Sequence, residues 1–275
     1  MRLMMSTTPP LLHWLNRFQH GVQRWLLNWW YIFRFALLML TLAVTPASYR
    51  RDQRLAIARH VVLASTTNVL WFLLMAALVS LILIRIVVVT ALSYGLSQYA
   101  LEMVVRVLVI ELIPLTAALF VALRVTLPDG LEFAQLRASG ELAGLEGQGV
   151  DIVRHEFLPR VLAGLFSVWL LAAASCVATL LLAYLSIYGF TPWALAGYTR
   201  VVGQVFNPAV ATILVLKIVF FSFGVALIPM ASSYHDGSGA APASRRRAAH
   251  SLADMLRLIS VLLLVEVVSL MENYY

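Results

Sequence analysis

Three ionisable side chains interrupt long apolar runs, and any chemistry must be sought there first: Glu111, Lys217 and Arg85. Placing one such group at mid-membrane costs about 2.5–3.5 kcal/mol on insertion scales, so it is kept for a partner or for a task. Counted at about 1.5 Å per helical residue, Glu111 lies about 10 Å inside its run. Lys217 and Arg85 reach a similar depth from the same side. A Glu–Lys pair relieves its own desolvation, and a spare Arg beside it could hold a lipid phosphate. The plainer reading is an ion pair that locks two helices, with Arg85 reaching out to the headgroups.

No catalytic signature accompanies these residues. The sequence has no Gly-rich phosphate loop, no His–Glu–x–x–His and no clustered metal-ligand set, so no cofactor and no metal are expected. His13, His20, His60, His155, His235 and His250 are scattered and read as solvated or interfacial. ATP has no recognisable site, so active transport would need a separate ATP-hydrolysing subunit.

The elements that must position these side chains follow from composition. Of 275 residues, 61% are hydrophobic and 12% charged, against about 45–50% and about 25% in a soluble domain. That excludes a soluble enzyme, a disordered chain and a fibrous repeat, and leaves an integral membrane protein. The lone Cys176 excludes a disulfide framework and a cysteine zinc site. The net charge of +7 comes from arginines at the ends of apolar runs. It therefore reports membrane topology, and no nucleic-acid partner is expected.

The reading is an all-α integral membrane protein with an N-terminal segment, 1–50, and a membrane-spanning body, 51–275. Trp14 to Leu42 is rich in Trp and Arg and suits an interfacial or re-entrant helix. Five transmembrane helices follow, at about 61–90, 104–127, 161–188, 208–231 and 252–271. The uncharged run Val61–Ile84 alone is long enough, at about 36 Å, to cross a hydrocarbon core of about 30 Å. Arg50, Arg51, Arg54 and Arg59, the segment 128–160, and Arg245, Arg246 and Arg247 all fall on one side, which the charge rule makes cytoplasmic. Within 128–160, Glu132, Phe133, Leu136, Glu141 and Leu142 have the spacing of a short amphipathic helix. Its alternating charge suits a docking surface for a soluble partner.

Here the sequence resembles a known family. Glu111-Leu112-Ile113-Pro114 resembles the E-L-G-P signature of the MlaE/YrbE permeases, the membrane subunits of ABC lipid transporters that work with MCE proteins. Arg124 and Arg137 stand thirteen residues apart, like the arginines of that family's G-R-x-G and M-R-x-T-E-Q motifs, with Glu132 at its A-E acid. Val150-Asp151 matches V-D-P, Leu158-Pro159-Arg160 matches x-P-R, and Lys217-Ile218-Val219-Phe220 resembles K-x-x-F. His250-Ser251 fits the motif before the last span. The likeness covers about 50–270 and is most specific over 107–165. Departures are Ile113 for a Gly, Leu123 and Thr126 for the two glycines around Arg124, Gly140-Glu141 for Glu-Gln, Ile152 for a Pro, and Arg85-Ile86 for an apolar residue and Gln. The acid common in the family's last span is absent at Ile259, with Glu266 further on.

The resemblance implies half of a homodimeric permease core, or a heterodimer with a second permease. It implies an ATP-binding ABC subunit docked on 128–160 and an MCE-domain protein on the periplasmic face. The cargo would be phospholipid, moved between the bacterial inner membrane and the outer envelope. Glu111, Lys217 and Arg85 are then the expected lipid-binding residues. Glu132, Phe133, Leu136, Arg137 and Glu141 are the expected ATPase-coupling set, with Phe133 and Leu136 as apolar anchors and Arg137 and Glu141 fixing register at the rim. Two other readings remain open: a degenerate structural partner of a second, intact permease, and a membrane-embedded lipid-metabolising enzyme. The enzyme would need convergent acids on facing helices.

Overall fold

The computed structural model describes residues 10–45, 51–96, 99–148, 151–235 and 243–274. Arg50, Val150 and the stretch 236–242 lie outside the described residues. So do the side chains of His13, His20, Arg51, Arg54, His235, Arg245, Arg246, Arg247 and His250. The chain is an all-α integral membrane protein, with no strand among the described residues. Helices satisfy their own backbone, which hydrocarbon demands. In order they are α1 (Pro10–Val44), α2 (Arg51–Ser93), a composite helix over Ala100–Ala138, α6 (Glu141–Gly147), α7 (Leu158–Tyr188), α8 (Leu195–Val205), α9 (Pro208–His235) and α10 (Ala243–Tyr274). The composite helix consists of α3 (Ala100–Val104), α4 (Ile113–Val121) and α5 (Leu127–Ala138), joined by the π-helical turns Val105–Leu112 and Ala122–Thr126.

Five described helices are long and apolar enough to cross a membrane: Leu26–Val44, Asn68–Ser93, Ala100–Ala138, Val153–Tyr188 and Pro208–Tyr234. Three of them contain the spans expected at 104–127, 161–188 and 208–231, and Asn68–Ser93 overlaps the one expected at 61–90. The expected fifth, 252–271, lies on α10 but carries Asp254, Arg257 and Glu266. Those charges are met inside the protein: Arg257 Nη1 bonds Asp254 Oδ1 at 3.0 Å, and Glu266 reaches α9.

The core is layered along the bundle. Phe133, Phe157, Val161, Leu227 and Met230 fill the Arg-rich end. Ala118, Val121, Leu171, Phe221 and Leu258 fill the middle. Ile84, Val105, Val109, Ala183 and Tyr198 fill the opposite end. Ser80 and Thr179 hydrogen-bond across α2 and α7 at 2.9 Å. Gly164 of α7 admits Thr126, whose methyl would lie 3.0 Å from a Cβ there.

Helix α1 packs on the Arg-rich end and the middle of the bundle. Phe35 and Met39 are buried in the Arg-rich layer, with Leu38 and Leu42 packed beside them. Phe35 meets Phe157 edge-on at 5.9 Å and Tyr234 at 5.5 Å. No described residue of α1 enters the opposite layer. Leu26–Val44 is thus long enough to span, and its contacts run from the Arg-rich layer to the middle one, which Ile32 reaches.

Prolines explain the irregular turns. The π-helical segments Val105–Leu112, Ala122–Thr126 and Val153–Phe157 each end two residues before a proline: Pro114, Pro128 and Pro159. Proline has no N–H, and its ring crowds the carbonyl four residues back. Widening the preceding turn relieves that clash.

Candidate functional site

Lys217 lies deep between α9, the composite helix and α10, only 2% exposed. Its ammonium contacts the Glu111 carboxylate, Glu266 Oε2 at 2.9 Å and the Ile110 carbonyl at 3.4 Å. The Glu266 contact has ion-pair distance without hydrogen-bond angles. An ammonium has three donors, and three acceptors surround this one. The Phe221 ring lies 5.8 Å away, within cation–π range. Both carboxylates are themselves buried. Pro114 builds part of this site: it withdraws the N–H that would bond the carbonyls of Val109 or Ile110 in a continuous helix. Lys217 takes the Ile110 oxygen, and Cys176 Sγ approaches the Val109 oxygen at 3.7 Å.

Depth alone did not predict which residues meet. Arg85 is not in the cluster; it is exposed on α2, one position beyond buried Ile84, so it faces another way. Glu266 joins instead, and it was not among the expected site residues. The signal was available: Glu266 lies seven residues beyond Ile259, two helical turns, and therefore on the same face. The result is two carboxylates around one ammonium, with no spare cation among the described residues. Such a cluster can lock three helices, but it offers no free donor to a phosphate.

The coupling residues also divide differently from expectation. Phe133 is 1% exposed. It stacks on Phe157 at 4.1 Å, with the Arg160 guanidinium 4.4 Å over its ring. It is therefore a core residue of this chain and cannot be the anchor that enters a partner. Leu136 is half-buried in the same layer. Glu132 is exposed and pairs with Arg160 Nη2 at 3.3 Å, while Arg160 also bonds Glu156. Arg137 donates to the Ser233 carbonyl at 3.2 Å and to the Tyr234 carbonyl. It thereby satisfies carbonyls near the end of α9 that helix geometry leaves open. Glu141 is exposed at the start of α6.

Helix α5 is thus stapled to α9 at two places. At one end Arg137 holds the α9 carbonyls. At the other, Gly130 approaches so closely that a Cβ would lie 3.1 Å from the Pro229 carbonyl oxygen. Ser233 Oγ can donate there to the Gly130 carbonyl at 2.7 Å. Around this junction, burial pushes the Asp129 carboxyl up to about 6, with Arg160 opposing and Glu132 adding. Burial, and then Arg160, hold His60 below the usual imidazole range.

The composite helix, at 39 residues, is about twice what a bilayer core requires, so α5 projects beyond it. Arg124, in the second π turn, is exposed and donates from Nε to Asn68 Oδ1 at 3.4 Å. Residues 57–269 match the family model described as Permease MlaE. No curated protein compared with the chain matches it.

Proposed function

The chain belongs to the MlaE permease family, the membrane permeases of ABC transporters, and from that premise we propose that it moves phospholipid between the inner membrane and the outer envelope. A separate ATP-binding subunit docks on the cytoplasmic face. An MCE-domain protein receives or delivers lipid on the periplasmic face, and a second permease copy completes the core. The charge asymmetry of the loops supports a cytoplasmic position for 128–160.

The observation that carries this reading is the double staple between α5 and α9. Glu132, Gln135, Ala138, Ser139 and Glu141 are exposed on α5 and at the start of α6, a surface for the ATP-binding subunit. A push there reaches α9 without slack, because Gly130 and Arg137 both hold it. Lys217 lies sixteen residues before Ser233 on that helix, about 24 Å away. Motion at the docking surface is thereby delivered to the ion cluster.

The test is coexpression with the ATP-binding subunit. Gln135→Arg with Glu141→Arg should abolish its copurification while the permease stays in the membrane; undiminished copurification overturns the docking surface. Proteoliposomes holding the whole complex should then move a fluorescent phospholipid on ATP addition. An assembled complex that hydrolyses ATP but moves none would exclude that cargo.

A further inference from the structure

Helices α2 and α4 run antiparallel along a seam with a regular step. Asn68 meets Arg124, and one turn further Phe72 meets Phe120 at 4.8 Å. Phe72 is buried and Phe120 half-buried, whereas Leu123 and Arg124 are exposed. The seam therefore has an aromatic floor and a guanidinium at its Arg-rich end.

The described basic residues divide: Arg34, Arg59, Arg85 and Arg200 are exposed with no ion pair among the described residues, and the rest are held in place. Arg106, Arg154, Arg160, Arg257 and Lys217 each have a carboxylate partner, and Arg137 has two carbonyls. Arg124 is oriented by a neutral amide alone, through Nε. The composite helix runs toward the Arg-rich end, and helical side chains lean back toward the N-terminus. Arg124 thus leans toward the bilayer centre rather than away from it. Its partner Asn68 opens the apolar span Asn68–Ser93, and Arg124 stands near the end of the expected span 104–127, so the pair lies at the headgroup boundary. Lipid headgroups lie at that level, and the Nη edge of the guanidinium has the fork geometry that takes a phosphate. A cation at the mouth of an apolar seam is complementary to a phosphodiester followed by an acyl chain.

We propose that Arg124, oriented by Asn68, binds the phosphate of a phospholipid from the leaflet at the Arg-rich end, with an acyl chain lying along the α2–α4 seam over Phe120. The site rests on the phospholipid reading above, but it concerns binding and needs no transport.

The test uses the full chain in phosphatidylcholine nanodiscs with a phosphatidylglycerol probe carrying a photoreactive tail. Label should map to the peptide containing Phe120 and fall about tenfold in Arg124→Gln, the loss of one charge-assisted contact. Arg124→Lys should keep part of it. Asn68→Ala should lose label too, and serves as the second variant if Arg124→Gln does not fold. Diacylglycerol with the same tail should label wild type no more than the phospholipid labels Arg124→Gln. Equal labelling of wild type and both variants overturns the site, as does equal labelling by diacylglycerol. Competition by inorganic phosphate would make it a soluble-anion site and overturn the lipid assignment. Disulfide crosslinking of Leu123→Cys between copies would make the face a subunit contact and overturn it likewise. Labelling without transport in the proteoliposome assay would defeat the transport reading and leave this site standing; transport without labelling would do the reverse.

Discussion

The Lys217 ammonium on α9 donates to the carbonyl of Ile110, an oxygen that the ring of Pro114 leaves without its helical donor. A break in one helix thus becomes an acceptor for a charge on another. The carboxylates of Glu111 and Glu266 complete the shell. This makes the cluster a three-helix contact whose members are unequal.

That inequality can be measured. Lys217→Gln strands two buried carboxylates, and breaking a buried pair costs about 3–5 kcal/mol. Glu266→Gln leaves Glu111 on the ammonium and should cost clearly less. Thermal unfolding of the purified protein, with membrane yield beside it, should rank Lys217→Gln well below Glu266→Gln. Equal stability of the two would contradict the shared-ammonium geometry.

Phe133→Ala should destabilise the permease in the absence of any partner, by about 3–5 kcal/mol for a fully buried Phe. Glu141→Arg, on the exposed side, should change stability by no more than about 0.5 kcal/mol. Unfolding curves of the isolated subunit decide it; a wild-type curve for Phe133→Ala would return that ring to the docking surface.

Gly164→Ala forces a methyl against Thr126 Cγ2, 3.0 Å from the new Cβ, and overpacking of this kind costs about 1–3 kcal/mol. Thr126→Ser removes the opposing methyl, so the double variant should recover stability over Gly164→Ala alone. Additive losses would place the strain elsewhere.

Asp129 sets a pH dependence with a definite sign. Its carboxyl is raised by burial to about 6, so the folded state holds the proton more tightly than the unfolded chain. Its contribution to stability is therefore full below the ordinary carboxylate range and is lost as pH rises through about 6. Asp129→Asn should flatten the melting temperature across that window and raise it at neutral pH. A variant less stable than wild type at neutral pH would show that the carboxylate has a favourable partner.

Four of the spans were legible because uncharged runs such as Val61–Ile84 leave no other structure in lipid. The level of Glu111 and Lys217 was legible too, since depth is a simple count along a helix. Facing is not a count, because the composite helix, α6, α7 and α8 intervene between Arg85 and Lys217. Arg85 therefore matched in depth and yet points elsewhere, while Glu266 was passed over. Phe133 failed as a docking anchor for a related reason. Amphipathic spacing marks an apolar face, but not whether the chain itself or a partner covers it. Here Phe157 and Arg160 cover it.

The widened turns ahead of Pro114, Pro128 and Pro159 also bear on how this chain can change in length. A deletion within an ordinary helix rotates everything beyond it by about 100° and exchanges its inner and outer faces. A π turn holds one residue more than the α turn that would replace it. Losing a residue there restores the regular spiral and leaves the flanking helices in phase. Val105–Leu112, Ala122–Thr126 and Val153–Phe157 are accordingly the places in the bundle where a homologous chain one residue shorter could keep every other helix face turned the same way.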